Sequence, residues 1–311
     1  MPDRRETPRP HRKPKSHSKR RAPRKPDPEK VWAEGERIAK YLARAGVASR
    51  REAEALIAEG KVSVDGVRLR QPAVKVTGRE LIKVNGKIIR PPQATRLWRY
   101  HKPSGLITTN QDPAGRRTIF EELPKSLPRT MTVGRLDLTT EGLLLLTNDG
   151  ELARALELPD TGLTRTYRAR AHGRPDEAAL ASLAEGITLD RVTYSPIIAQ
   201  LEMQTGSNCW IHVELTEGKK REVRRALESI GLEVNRLIRT AYGPFELGGM
   251  KPGAVEEVPA EMLTPLLEKW LPGRTPVIEA ENEDAPWKRG QKKSGSPKGR
   301  RPHRRPGKPR S

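Results

Sequence analysis

The positive charge of this chain is crowded into its two ends, and that confines any folded core to the residues between them. The formal net charge is +21. Residues 1–30 carry 12 Lys or Arg against four acids, and residues 281–311 carry 11 against three. Seven prolines interrupt the first segment, and no acid follows Asp284 in the second, which contains the run WKRGQKKSGSPKGRRPHRRPGKPRS. Neither segment holds enough apolar side chains to offset the entropy lost on ordering. Residues 1–30 and 271–311 are therefore read as disordered basic tails. Arms of this kind meet phosphates and release counterions. They have no apolar face, which a membrane-surface helix needs. The middle is roughly two-fifths apolar, enough to build a core.

Several function classes drop out. Cys209 is the single cysteine, so neither an intramolecular disulfide nor a cysteine-rich zinc site is possible. No stretch approaches the length of a membrane span, and no apolar run follows the basic N-terminus as in a secretory signal. The expectation is a soluble, cytoplasmic protein with no membrane partner, no metal and no cofactor.

Residues 36–45 place Ile38, Leu42 and Ala45 at helical spacing, and Gly46 ends that helix. Ser49 with Glu52 reads as a capping box opening a second helix whose apolar face is Ala53, Leu56 and Ile57. Two alternating segments follow, broken by the hairpin signals Asp65-Gly66 and Asn85-Gly86. Residues 31–92 thus form one small unit of two helices and an antiparallel sheet. Residues 91–96 (PPQATR) look like a linker. From 93 to 270 strands dominate, at LWRYHK, GLLLLTN, TRTYRARAHG, IAQLEMQT and CWIHVELTEG. Helices are expected over 150–157, 175–186 and 221–231. This is an α+β protein whose larger unit holds a mixed, largely antiparallel sheet.

The segment GRLDLTTEGLLLLTNDG, residues 134–150, carries the most chemistry. Asp137 stands in a turn before a very apolar strand, Leu143–Leu146. A carboxylate at such a lip is partly desolvated and needs a cationic partner. On its residues alone Asp137 can equally be a turn-capping aspartate. Asn148-Asp149-Gly150 reads only as a turn feeding the helix near Glu151. A metal-dependent nuclease built on Asp137, Glu141 and Asp149 is a poor reading, since no histidine completes a ligand set. In the smaller unit, Ser49-Arg50-Arg51 opens a helix whose backbone N–H groups and guanidiniums can meet phosphate.

RIAKYLARAGVASRREAEALIAEGKVSVDGV resembles the S4 RNA-binding domain. That resemblance implies binding of structured RNA, with Arg44, Ser49, Arg50, Arg51 and Lys61 as contacts. GRLD followed by T-x-G-LLLLTNDG resembles the central motif of RsuA/RluB-type pseudouridine synthases, and the likeness runs from residue 36 to about 265. It implies that Asp137 is the catalytic nucleophile and that Arg135 helps displace the flipped base. It implies that Tyr167, in Arg165-Thr166-Tyr167, stacks on the uracil, with Arg165 keeping the basic charge. EGKKREVRRALESIG, residues 217–231, matches a third motif that sets Arg224 against Asp137 as its salt-bridge partner. Lys219, Arg221 and Arg225 become candidate phosphate contacts, as does Lys102 of the opening HKPSG turn. Pseudouridylation needs no redox change and no energy source. The carboxylate can add to C1′ or C6, or take the 2′ proton as a glycal forms; the sequence does not choose. The expected partner is ribosomal RNA, or a ribosome assembly intermediate, bound by a monomer. The long tails resemble the branch acting on 23S rRNA. Action on 16S rRNA, and a non-catalytic RNA-binding assembly factor, are the alternatives.

Overall fold

A computed structural model describes residues 34–274; residues 1–30 and 275–311 of the predicted tails lie outside the described residues, while the expectation of a tail from residue 271 is corrected at its start, where Arg274 is held by Asp149 and Glu151. Local signals account for the first unit. A short strand β1 (Glu36–Arg37) leads into α1 (Ile38–Arg44), and α2 (Arg50–Ala58) follows. The capping box forms as read: Glu52 N donates to Ser49 Oγ at 3.2 Å and Ser49 N donates to Glu52 Oε2 at 2.6 Å. The strands are β2 (Val62–Val64), β3 (Val67–Arg68), β4 (Lys75–Val76), β5 (Ile82–Val84) and β6 (Lys87–Ile88). They run in the order β3-β2-β5-β6, with β1 paired to β4. Asp65-Gly66 and Asn85-Gly86 turn the two hairpins with positive φ at all four residues, the geometry that those dipeptides favour. Ile38, Leu42, Ala53, Ile57, Val62, Val64 and Ile82 form a separate small core.

The larger unit contains β7 (Leu97–Lys102), α3 (Ile119–Glu122), β8 (Met131–Val133), β9 (Thr140–Thr147), α4 (Gly150–Glu157), β10 (Arg165–His172), α5 (Glu177–Ser182), β11 (Ile187–Leu189), β12 (Val192–Tyr194), β13 (Ile198–Thr205), β14 (Asn208–Leu215), α6 (Glu222–Ser229), β15 (Glu233–Tyr242), β16 (Phe245–Glu246), β17 (Val255–Glu257) and α7 (Ala260–Trp270). One sheet runs β13-β14-β10-β15-β9-β7-β17, with β8 added to β9 and β16 to β15. Only the β15–β9 pairing is parallel within it. The four leucines of β9 explain why this strand is central. Leu143 and Leu145 enter the core beneath α4 and α7, while Leu144 and Leu146 enter the opposite core beneath α5 and α6. Side chains alternate across a strand, so four successive leucines demand cover on both faces.

The structure differs from the sequence reading at several elements, three of them instructive. The helix expected over 175–186 stops at Ser182 and continues as a 3₁₀ turn, Leu183–Glu185. The longest strand, β15, was not expected, because Asn235, Arg236 and Arg239 break its apolar alternation. Helix α7 was also not assigned; it carries Pro265 in its interior, where proline removes a hydrogen-bond donor.

Gly142 marks the crossing of β9 and β15. Its φ is +102°, and a Cβ there would lie 2.2 Å from the Arg239 carbonyl oxygen. Gly142→Ala should therefore lower stability by about 2–4 kcal/mol through backbone strain and overpacking, as read from urea denaturation. A loss under ~0.5 kcal/mol would show that this crossing tolerates a side chain.

Candidate active site

The turn between β8 and β9, residues 134–139, carries Asp137 and is held by its backbone. Lys102 ends β7 fully buried. Its Nζ donates to the carbonyls of Pro103 at 3.1 Å, Asp137 at 3.1 Å and Thr140 at 2.9 Å, with Leu138 O at 3.4 Å. Thr108 Oγ1 donates to Leu136 O at 2.9 Å, and Gly134 N donates to Glu157 Oε1 at 2.6 Å. Gly105 N donates to Leu138 O at 2.8 Å. Burial pushes the Lys102 ammonium down to about 8, against the attraction of Asp137 and Glu141.

The Asp137 side chain has no hydrogen-bond or ion-pair partner among the described residues and stands exposed at a cleft of about 1040 Å³. Tyr167, on β10 between Val213 of β14 and Arg239 of β15, lines the same cleft. Arg135, Lys219, Lys220 and Arg221 line it as well. Arg135 and Lys220 make no ion pair or hydrogen bond among the described residues, so both cations stand free at the rim.

Arg224 does not fill the place expected of it. It is buried, but Nη1 donates to Val234 O at 2.6 Å and Nη2 to Thr139 Oγ1 at 3.2 Å, and it forms no ion pair with Asp137. Burial pushes its guanidinium down, with Arg221 adding to the effect and the Asp137 charge opposing it. Arg224 thus meets the Asp137 charge only at longer range and bonds Thr139 of the same loop. The expectation of a partly desolvated Asp137 is corrected too, since its side chain is open to solvent.

Other expected RNA contacts are placed elsewhere. Lys102 is wholly buried and has no surface to offer RNA. Arg165 lines the cleft but is buried; Nη1 donates to Leu163 O at 3.1 Å and to Thr216 O, and Nη2 donates to the Tyr242 hydroxyl at 3.0 Å. Arg225 pairs with Asp190 on the β11–β12 turn, away from the cleft. Arg44 points between the two units, bonded to Glu36 at 2.5 Å and 4.0 Å from Asp149 Oδ2. The Ser49 hydroxyl is taken up by its cap. Lys61 is exposed and pairs with Glu59. Arg50 and Arg51 remain exposed at the start of α2 with no partner among the described residues. Glu141 pairs with Arg236 at 2.9 Å, and Asp149 caps α4, so the three acids of the nuclease reading do not face one centre.

Two cleft residues escaped the sequence reading. Arg239 is buried over the Tyr242 ring at 5.0 Å; its Nε donates to Leu143 O at 2.7 Å, while Nη2 is buried without a partner. The available signal was an arginine at an inward position of a strand. Glu222 opens α6, buried, and Oε2 accepts from Lys219 N at 2.7 Å while Oε1 has no partner. Burial pushes the Glu222 carboxyl up to about 7, with the Lys219 amide opposing and the Glu217 carboxylate adding to the rise. At Glu217 itself burial is overcome by Lys219 and Ser195, which hold it to about 2.

Residues 96–229 match the RNA pseudouridylate synthase family and residues 36–82 match the S4 domain. The chain belongs to the RNA pseudouridine synthases, which isomerise uridine to pseudouridine in RNA. An RNA pseudouridine synthase of Rickettsia felis is 48% identical over 228 residues, covering 73% of this chain and 99% of that one. The ribosomal large subunit pseudouridine synthase B of Haemophilus influenzae is 41% identical over 243 residues, covering 76% of this chain and 68% of that one. In fold, a crystal structure of a pseudouridylate synthase superposes with TM-score 0.52 at 24% identity, over 75% of this chain and 100% of the other.

Lys102→Met should cost about 2–4 kcal/mol, because it strips a charged donor from several buried carbonyls. Single-turnover pseudouridylation should fall with it; full activity would show that the loop keeps its place without the ammonium. Glu222 supplies a pH test. A carboxyl raised to about 7 stabilises the fold fully below its ordinary value of 4.5 and loses that contribution as pH rises through 7. Glu222→Gln should thus gain about 1–3 kcal/mol relative to the wild type between pH 5 and 8. Glu217 titrates below this window. A pH-independent difference in urea midpoints would overturn the assignment.

Proposed function

We propose that this enzyme converts a uridine of 23S rRNA to pseudouridine in the cytoplasm, as a monomer, with Asp137 as nucleophile. The observation that carries this reading is the arrangement around residue 137: its backbone is tied on several sides, while its side chain alone faces a cleft shared with Tyr167. A carboxylate so held is preorganised for attack or proton abstraction and needs no motion of its loop. The relative in Haemophilus influenzae, named for the large ribosomal subunit, supports 23S rRNA as the substrate.

The target nucleotide must leave its stack to reach this cleft. Arg135 stands free to take its place in the helix or hold the adjoining phosphate. Tyr167 offers its ring to the uracil, and Arg224 stabilises the charge on Asp137 through the loop. During the reaction the N1–C1′ bond breaks, the base turns, and C5 bonds to C1′. C5 gives up a proton and N1 gains one, so the overall change is an isomerisation with no co-reactant. Arg50, Arg51 and Lys61 of the S4 unit, with Lys219, Lys220 and Arg221 at the cleft, hold RNA backbone.

Asp137→Asn should abolish pseudouridine formation in 23S rRNA transcripts, by at least ~10³-fold, as mapped by carbodiimide-dependent primer-extension stops. RNA affinity should stay within about threefold, a change below ~0.7 kcal/mol. Retained activity in this variant would remove the nucleophile assignment. Pseudouridine formed by the wild type in 16S but not 23S transcripts would overturn the substrate.

A further inference from the structure

The turn after β9 does more than start a helix. Asp149 caps α4, its Oδ1 accepting from Glu151 N at 2.9 Å. Its Oδ2 accepts from Thr95 Oγ1, in the connection between the two units, at 2.8 Å. The same oxygen lies 3.6 Å from Arg274 Nε, just beyond α7, and 4.0 Å from Arg44 Nε of α1. Glu151 takes Lys40 Nζ of α1 at 2.5 Å and Arg274 Nη2 at 2.5 Å. Two acids of the catalytic unit are thus clasped by two cations of the S4 unit and one from the chain beyond α7. The Asp149 side chain is only 3% exposed, where an unpaired carboxylate is costly. At Glu151, burial alone would raise the carboxyl; the bonds from Lys40 and Arg274 overcome it and hold it below the ordinary range.

The S4 core and the two cores of the catalytic unit form separate clusters with no shared residue. Among the described residues, the other ion pair across the two units, Arg129 to Glu52 at 3.4 Å, is exposed, and exposed pairs hold little. Apolar burial is non-directional, whereas hydrogen-bonded ion pairs fix an orientation.

We propose that Asp149 and Glu151, clasped by Lys40, Arg44 and Arg274, are positioning residues that fix the S4 unit relative to the cleft and thereby determine which uridine of a bound rRNA reaches Asp137. This rests on the function proposed above. The free arginines of α2, Arg50 and Arg51, anchor RNA on one unit while Asp137 acts from the other. The reachable uridine is therefore set by the geometry between them, and a loosened seam spreads it.

The test uses the full chain with Lys40→Met and Arg274→Met combined; neither residue belongs to the cleft or to the RNA contacts assigned above. Spin labels on cysteines introduced at Glu54 of α2 and Glu261 of α7, both exposed, report the spacing of the units without RNA. Cys209 is buried and stays unlabelled. The wild type should give one narrow distance distribution at low salt that broadens at molar salt, and the double variant a broad one at both. Lys40→Arg with Arg274→Lys should restore the narrow distribution. On 23S rRNA transcripts the double variant should raise KM about tenfold with kcat within twofold, and pseudouridine should spread to neighbouring uridines. A narrow distribution in the double variant overturns the clasp. A broad distribution with unchanged KM and site choice overturns its role in selection. Failure of the function proposed above would instead show as a wild type that forms no pseudouridine in 23S transcripts, with the label distances as expected.

Discussion

A buried ammonium beneath the loop that carries an exposed carboxylate is the constraint on which the cleft depends. Lys102 leaves the last position of β7 and meets carbonyls of the loop that leads into β9. Those two strands are neighbours in the sheet, so the sheet itself delivers the donor to the loop. The ammonium is desolvated and satisfied by backbone oxygens rather than by a carboxylate. This leaves the Asp137 side chain unpaired and available at the cleft. The arrangement separates holding from reacting: the backbone of residue 137 is fixed, and its side chain is not consumed in fixing it.

The same separation runs through the basic residues. Arg165, Arg224 and Arg239 are buried and turn most of their donors to carbonyls or to the Thr139 and Tyr242 hydroxyls, with Arg224 Nε and Arg239 Nη2 left over. Arg135, Lys220, Arg50 and Arg51 are exposed and unspent. Both groups read alike in a sequence, as arginines and lysines. Only burial sorts them, because a guanidinium under 10% exposed turns most of its donors inward and has little surface left for a phosphate.

That distinction explains how much was legible. The S4 helices, their capping box and both hairpin turns rest on contacts between residues at most five apart, and such signals are local. The four-leucine strand announced a doubly covered centre. Asp137 and Tyr167 were found through a motif and stand at one cleft. What escaped depended on long-range partners. Arg224 was assigned to Asp137 from its motif position, but its nearest acceptors are Val234 and Thr139, one on β15 and one in the loop. Strand β15 was hidden because its inward Arg239 is solvated by Leu143 O across a strand crossing that no periodicity records. Asp149 looked like an ordinary turn residue, and it is one; its second role appears only when Thr95, Arg44 and Arg274 converge on it.

The electrostatics of the seam follow from the same arithmetic of burial. A chain with this excess of positive charge gains from placing some cations against acids before RNA arrives, since like charges on adjoining units repel. Lys40 and Arg44 lie on the helix next to the one that presents Arg50 and Arg51. Were all four unpaired, the S4 unit would be pushed from the basic rim of the cleft. Glu36 neutralises part of the inner pair within the S4 unit, and Asp149 and Glu151 turn the rest of that repulsion into attachment, while the outer pair stays free. The cost is sensitivity to ionic strength, which an RNA-modifying enzyme already has through its substrate. Salt therefore weakens RNA binding and the seam together.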